Sequence, residues 1–197
     1  MMRLKIFITG VGGQGSLTAS RLLAEAALRA GQNVVVSEVH GMAQRGGVVE
    51  TAVLIGSVHS PTIGDHQAHV ILGFEPVETL RAMGKASRET LVITNTRSIV
   101  PISVSLGQSR YPEVEEILAK IEGFVGNERL IALDATGLAK EAGSAIATNM
   151  VMVGALAATG RLPFPADVLK ESISELAPKY AEVNLKAFEL GYNAVQG

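Results

Sequence analysis

Apolar positions along the chain fall into two periods. Leu4 to Thr9 is a continuous apolar run, as in a parallel strand buried on both faces, and Gln14 to Ala30 switches to helical spacing. On that helix Ala19, Leu23, Ala26, Ala27 and Ala30 share one side, while Arg21, Glu25 and Arg29 share the other; Gly31 is the stop signal. Val34 to Val36 is β-branched and unbroken, which predicts a second strand buried on both faces and a βαβ unit with a right-handed crossover. Ser37 to Gly47 follows no period. Val48 to Ile55 is apolar again, and the link before it is too short for a crossover helix, so this strand is expected to be antiparallel or at an edge.

Val58 to Gly64 is a loop around Pro61, and His69 to Phe74 a buried strand. Glu75-Pro76 opens a short helix with Val77, Leu80 and Met83 inward. Thr90 to Thr94 is the next strand, followed by a loop to Arg110 with a short strand at Ile102 to Leu106. Pro112 to Glu122 is a helix turning Ile117, Leu118 and Ile121 inward, Leu130 to Leu133 a strand, and Asp134 a helix cap. Everything beyond is helical. Thr148 to Thr159 is rich in small residues, and Pro165 to Leu176 is amphipathic. Pro178 to Val195 carries the stripe Tyr180, Val183, Ala187, Leu190 and Ala194, as for a helix packed on its own domain. The pattern predicts an α/β fold: an open, mostly parallel, doubly wound (Rossmann-like) sheet with helices on both faces and an α-helical C-terminal part. Residues 1–197 are expected to form a single domain, its helical tail running from about 145 to 197.

Composition narrows the chemistry. Charged residues make up only 18% against 47% hydrophobic, enough for a sizeable core and a thinly charged surface that suits a partner. A net charge of −2 gives no electrostatic case for nucleic acid, and 4% aromatic content with no Trp gives no stacking platform for bases. There is no Cys, so neither a disulfide framework nor a thiolate-held iron–sulfur cluster is expected. With no secretory signal and no apolar stretch approaching the ~20 residues of a membrane helix, the reading is a soluble, cytoplasmic protein without a membrane contact. His59, His66 and His69 lack Cys or spaced carboxylate companions, and no metal site is expected there.

Gly10-Val11-Gly12-Gly13-Gln14-Gly15 sits between the first strand and the first helix. In that context main-chain amides can approach an anion closely, and the first helical turn adds unpaired N–H groups. Gly10, Gly12 and Gly15 also satisfy G-x-G-x-x-G, with Glu38 at the end of strand two, where a nicotinamide-cofactor domain places an acidic residue on the ribose. That supports a free-standing NAD(P)-binding dehydrogenase. The extra Gly13-Gln14 pair and the polar, glycine-rich stretch after Glu38 speak against it. A third reading is a tight turn with no ligand, in a purely structural subunit; four glycines in six residues exceed what a turn requires.

The two glycine stretches together are more specific than either alone. Ile8 to Gly15 resembles the signature of the gamma-type domain of 2-oxoacid:ferredoxin oxidoreductases, and Ser37-Glu38-Val39-His40-Gly41-Met42-Ala43-Gln44-Arg45-Gly46-Gly47 is similar to the second signature of its indolepyruvate-type branch. Phe74 to Glu78, Asn149-Met150 and Gly154 also fit, and the similarity spans Leu4 to Gly160. The resemblance implies a subunit that assists oxidative decarboxylation of an arylpyruvate such as indolepyruvate to an acyl-coenzyme A, with electrons passing to ferredoxin. Thiamine diphosphate, Mg and the iron–sulfur clusters would lie in a larger alpha subunit, consistent with the missing Cys and the missing Gly-Asp-Gly and paired-Asn pattern here. Coenzyme A would reach a shared site, and ferredoxin would be met only indirectly. The isolated chain would be inactive; whether it forms a homodimer is left open. On this view Gly10, Gly12, Gly13, Gln14, Gly15, Glu38, Gly46 and Gly47 bind cofactor. Arg45, His40 and Gln44 support catalysis: Arg45 by meeting a carboxylate or phosphate, or a salt bridge to Glu38 or the partner; His40 as acid or base, or as a loop hydrogen-bonder; Gln44 by orienting a carbonyl. Met42 would pack on an aromatic substrate or fill core.

Overall fold

The computed structural model describes residues 3–40, 46–57, 60–100, 104, 107 and 110–196. Its centre is a six-stranded sheet: β1 (Arg3–Val11), β2 (Val34–His40), β3 (Val48–Gly56), β4 (Ala68–Gly73), β5 (Ala86–Asn95) and β6 (Leu130–Leu133), in the order β2-β3-β1-β4-β5-β6. β1, β4, β5 and β6 are mutually parallel, whereas β3 is antiparallel to both β1 and β2. Among the described residues seven helices accompany it: α1 (Ser16–Arg29), α2 (Pro76–Arg81), α3 (Val114–Val125), α4 (Ala135–Ala142), α5 (Thr148–Ala158), α6 (Ala166–Leu176) and α7 (Ala181–Gln196).

Two separate cores follow from the alternation of side chains along the strands. Ile6 and Ile8 of β1, Val53 of β3 and Ile93 of β5 pack with α1 and α4–α7. Phe7, Leu54, Ile71 and Val92 point the other way and pack with Ile117 and Ile121 of α3 and the partly buried Val77 and Leu80 of α2. The sheet is therefore doubly wound and mostly parallel, with the predicted helical C-terminal part.

Differences from the sequence reading have identifiable causes. Of the two expectations for β3, antiparallel or at an edge, the first holds: it is antiparallel but lies inside the sheet, between β1 and β2. β2 is thereby pushed to the edge: Val34 to Val36 are only partly buried rather than covered on both faces. β2 also continues through Ser37 to His40, because β3 offers those residues backbone partners. The first helix begins at Ser16, not Gln14, since Gln14 is held in the turn. In α7 the buried positions are Ala187, Phe188 and Gly191, while Tyr180 and Ala194 are exposed. The helix is rotated by its tight crossing with α5, where a Cβ on Gly154 would come within 2.0 Å of the Phe188 carbonyl oxygen and one on Gly191 within 2.0 Å of that of Val151. Ile102 to Leu106 falls largely outside the described residues.

Candidate functional site

Parallel strands β1 and β4 are neighbours, yet α1 leaves β1 towards one face and α2 leaves β4 towards the other. A crevice opens between such strand ends, and ligands of open α/β sheets bind there. Gly10 to Gly15 forms its rim. Gln14 closes its floor: its Oε1 accepts from the Val11 amide at 2.7 Å, and its Nε2 donates to the Phe74 carbonyl at 2.8 Å. The side chain of Gln14 is therefore a brace between β1 and β4. The loop is also tied to the second glycine stretch, because the Gly12 amide donates to the Gly47 carbonyl at 2.8 Å. Of the sequence-predicted residues, the fold thus brings Gly10–Gly15 and Gly46–Gly47 together. His40 is in register with Val49. Gly41, Met42, Gln44 and Arg45 lie outside the described residues.

Gly15, the N-cap of α1, has φ +82°, and no side chain caps that helix. A Cβ there would be both strained and 2.7 Å from Asn149 Nδ2, so only glycine suits the place. Asn149 in turn donates to the Gly15 carbonyl at 3.5 Å, which docks α5 on the loop. Beside the uncapped turn lies a cavity of about 440 Å³, lined by Gly12, Gly13, Gly15, Ser16, Thr18 and Val49. Unpaired first-turn amides facing open space favour an anion.

Glu38 stands apart from this cavity. It is exposed on β2, with β3 intervening, roughly 10 Å from β1 at about 4.8 Å per strand. The adjacency of strands one and two that a ribose-binding acid needs is missing.

Several residues outside the glycine stretches complete the edge. Asn95 is fully buried at the end of β5. Its Nδ2 donates to the Phe74 carbonyl at 3.2 Å and to Thr136 Oγ1 at 3.1 Å, and its Oδ1 accepts from the amides of Ala135 at 3.1 Å and Arg97 at 3.3 Å. One amide thus joins the ends of β4 and β5 to the start of α4. The available signal was a polar residue two positions after the apolar run Leu91 to Ile93; apart from Arg97, its partners come from 21 to 41 residues away and were invisible. Glu75, 1% exposed, caps α2 through Oε2 and accepts from the Ile99 amide and the Tyr111 hydroxyl through Oε1. Burial and then the Glu75 carboxylate push the Tyr111 hydroxyl well above its ordinary pKa. Burial likewise raises the carboxyl of Glu78, whose Oε2 has no hydrogen-bond partner among the described residues, although Arg81 pairs with its other oxygen at 2.6 Å.

Exposed apolar side chains gather at this same edge: Leu17, Val39, Val48, Ile99 and Ile146, the last 85% exposed. Two histidines, His66 and His69, serve the main chain elsewhere, and His59 lies outside the described residues. His66 Nδ1 contacts the Ala86 carbonyl at 2.8 Å, and His69 Nδ1 accepts from the Lys5 amide at 3.1 Å. Among the described residues no three His, Cys, Asp or Glu side chains are grouped to hold a metal ion, and no helix is long and apolar enough to cross a membrane.

An α/β subunit-sized chain with this glycine edge matches the family model for pyruvate ferredoxin/flavodoxin oxidoreductase over residues 5–194, and the chain belongs to that family. Within it, the chain is 46% identical to indolepyruvate oxidoreductase subunit IorB of Archaeoglobus fulgidus, over 100% of this chain and 98% of that one. Among solved structures it superposes on the gamma subunit of a keto/oxoacid ferredoxin oxidoreductase from Geobacter sulfurreducens (TM-score 0.71, 22% identity, 98% of each chain). It also superposes on 31% of a longer chain, the 2-oxoglutarate:ferredoxin oxidoreductase of Magnetococcus marinus with 2-oxoglutarate, coenzyme A and succinyl-CoA bound (TM-score 0.74, 24% identity, all of this chain). The resemblance drawn from the glycine stretches is thereby borne out.

Proposed function

We propose that this chain is the non-cluster subunit of an arylpyruvate:ferredoxin oxidoreductase. It assists oxidative decarboxylation of a 2-oxoacid to acyl-coenzyme A by lending main-chain amides to a site shared with a larger subunit. The observation that carries the proposal is the open cavity over the uncapped first turn of α1, beside the start of β3 and bordered by exposed Leu17 and Val48. Amides there suit a phosphate of coenzyme A, and the apolar border suits a protein partner.

Cofactor fit divides along the same line. With no Cys, the chain has no thiolates for clusters, and its described residues offer no carboxylate or histidine grouping for Mg, so both belong with thiamine diphosphate in the partner. Thiamine diphosphate there supplies the electron sink for decarboxylation. This chain's share is to hold the acyl acceptor, exclude water and orient groups. Arg45 and His40 are proposed to contribute a fixed positive charge and an acid–base group; Gln44 is proposed to orient a carbonyl and Gly46 to let the backbone approach.

The test is calorimetric titration of the assembled heteromer with coenzyme A. Gly12→Val should weaken binding at least tenfold while the heteromer still co-purifies; unchanged affinity would refute the phosphate cradle. Arg45→Ala should lower turnover without preventing assembly, and wild-type kinetics would remove it from the site.

A further inference from the structure

On the other side of Gly13 lies a second, separate cavity of about 260 Å³, lined by Gly13, Gln14, Arg97, Thr136, Ile146 and Thr148, with Ile99 at its mouth. Only Gly13 and Gln14 of its lining belong to a motif of the sequence; Arg97, Thr136 and Ile146 do not. Its charged wall is Arg97, two residues beyond β5, whose amide is anchored on the buried Asn95 Oδ1 at 3.3 Å. Asp134, just before α4, and Glu75, which holds the Ile99 amide, are both engaged elsewhere. Asp134 caps α4 by accepting from the Gly137 amide at 2.8 Å, and Glu75 is consumed by the amides of Glu78 and Ile99 and by the Tyr111 hydroxyl. Among the described residues no carboxylate pairs with the Arg97 guanidinium.

Two further donors line the same space. Thr136 Oγ1 accepts from Asn95 Nδ2, and its own proton has no acceptor among the described residues. The Gly13 amide, in a residue with φ +105°, finds no acceptor among the described hydrogen bonds, whereas its neighbours Gly12 and Gln14 donate to Gly47 and Val11. Ile99, 41% exposed, and Ile146, 85% exposed, form an apolar lip. A guanidinium, a hydroxyl and an amide in one lining with two isoleucines make an amphipathic receptacle. Its volume of about 260 Å³ has room for an oxyanion and a short apolar stem.

We infer that Arg97, Thr136 and Gly13 form a second oxyanion-binding pocket, which takes a carboxylate or phosphate group and lays the attached apolar part over Ile99 and Ile146. This deepens the proposed function and rests on it only for the kinetic measurement below. The chemistry has two sources, the carboxylate of the 2-oxoacid or a phosphate of coenzyme A, and the kinetics separate them.

The full-length ¹⁵N-labelled chain is titrated with inorganic pyrophosphate and, separately, with phenylpyruvate, reading amide and guanidinium shifts by NMR. The Gly13 and Thr136 amides and the Arg97 side chain should shift saturably with at least one probe. Arg97→Ala should raise Kd at least tenfold, and Arg97→Lys, which keeps the charge but loses the planar fork, should fall between. Arg97 is exposed, so thermal melts of both variants should match the parent. Shifts confined to Ser16–Thr18, or a Kd indifferent to Arg97, would overturn the inference. In the assembled enzyme, Arg97→Ala should raise a single KM tenfold with kcat within twofold: that for the 2-oxoacid if the pocket reads the carboxylate, that for coenzyme A if it reads phosphate. Both KM values unchanged would overturn a working role. A heteromer without oxidoreductase activity, with the titration intact, would sink the proposed function and leave the pocket standing.

Discussion

Gln14→Glu isolates the brace across the crevice. The substitution preserves size and leaves an oxygen to accept from the Val11 amide, but it replaces the donor that faces the Phe74 carbonyl with a second acceptor. Losing one neutral hydrogen bond costs about 1 kcal/mol, and setting a partly buried carboxylate against a carbonyl adds about 1–3 kcal/mol. The nearby N-terminus of α1 favours the new charge by only ~0.3–1 kcal/mol, so loss dominates, at about 2 kcal/mol net. At roughly 2–4 °C per kcal/mol for a chain of this size, Tm should fall by about 4–8 °C at pH 8. The protonated acid restores the donor. Its folded pKa is therefore raised above the unfolded ~4.3, so the deficit is absent below that value, grows as pH rises and is complete above the folded pKa. Circular-dichroism melts of Gln14→Glu, Gln14→Ala and wild type at pH 4.5 and 8 read this directly. The alanine variant should lose stability equally at both. A glutamate deficit that is equal at both pH values, or absent at pH 8, would show that Gln14 does not brace the loop.

Three other outcomes follow from the packing. Gly154→Ala and Gly191→Ala each set a Cβ 2.0 Å from a backbone carbonyl at the crossing of α5 and α7, where no rotamer can give way; each should cost at least ~3 kcal/mol in urea unfolding, beyond ordinary overpacking. Tyr111→Phe removes the hydroxyl on the buried Glu75 carboxylate, and denaturant melts should show a loss of ~1.5–3 kcal/mol. Glu78, held above its ordinary pKa first by burial, binds a proton more readily folded than unfolded, so its ionisation lowers stability as pH rises through and above the carboxylate range. Glu78→Gln should therefore gain Tm relative to wild type between pH 4 and pH 7, and a difference that does not change with pH would contradict the burial.

The glycine edge is legible in the amino-acid sequence because its signals are local. A strand, a glycine turn and a helix follow one another within 30 residues, and Asp134 caps α4 by accepting from an amide three residues on, as its place before the helix implies. Alternation and helical spacing likewise set which residues face inward on β1, β4 and α1, since those periods are properties of the backbone itself. What stays hidden depends on segments far apart in the chain meeting. Local pattern allows β3 to be antiparallel or at an edge, but does not show that it enters between β1 and β2, because strand order is settled by competition among distant pairings. That choice exposes β2 and carries Glu38 away from the loop. That the Gln14 amide also reaches Phe74, 60 residues on, is not visible in the sequence, and Asn95 reads as an ordinary loop residue until Thr136 and Ala135 arrive beside it. Sequence alone determined a cysteine-free α/β chain with an anion-ready turn; tertiary structure decided which of its polar groups are spent on holding strand ends together and which are left facing open space.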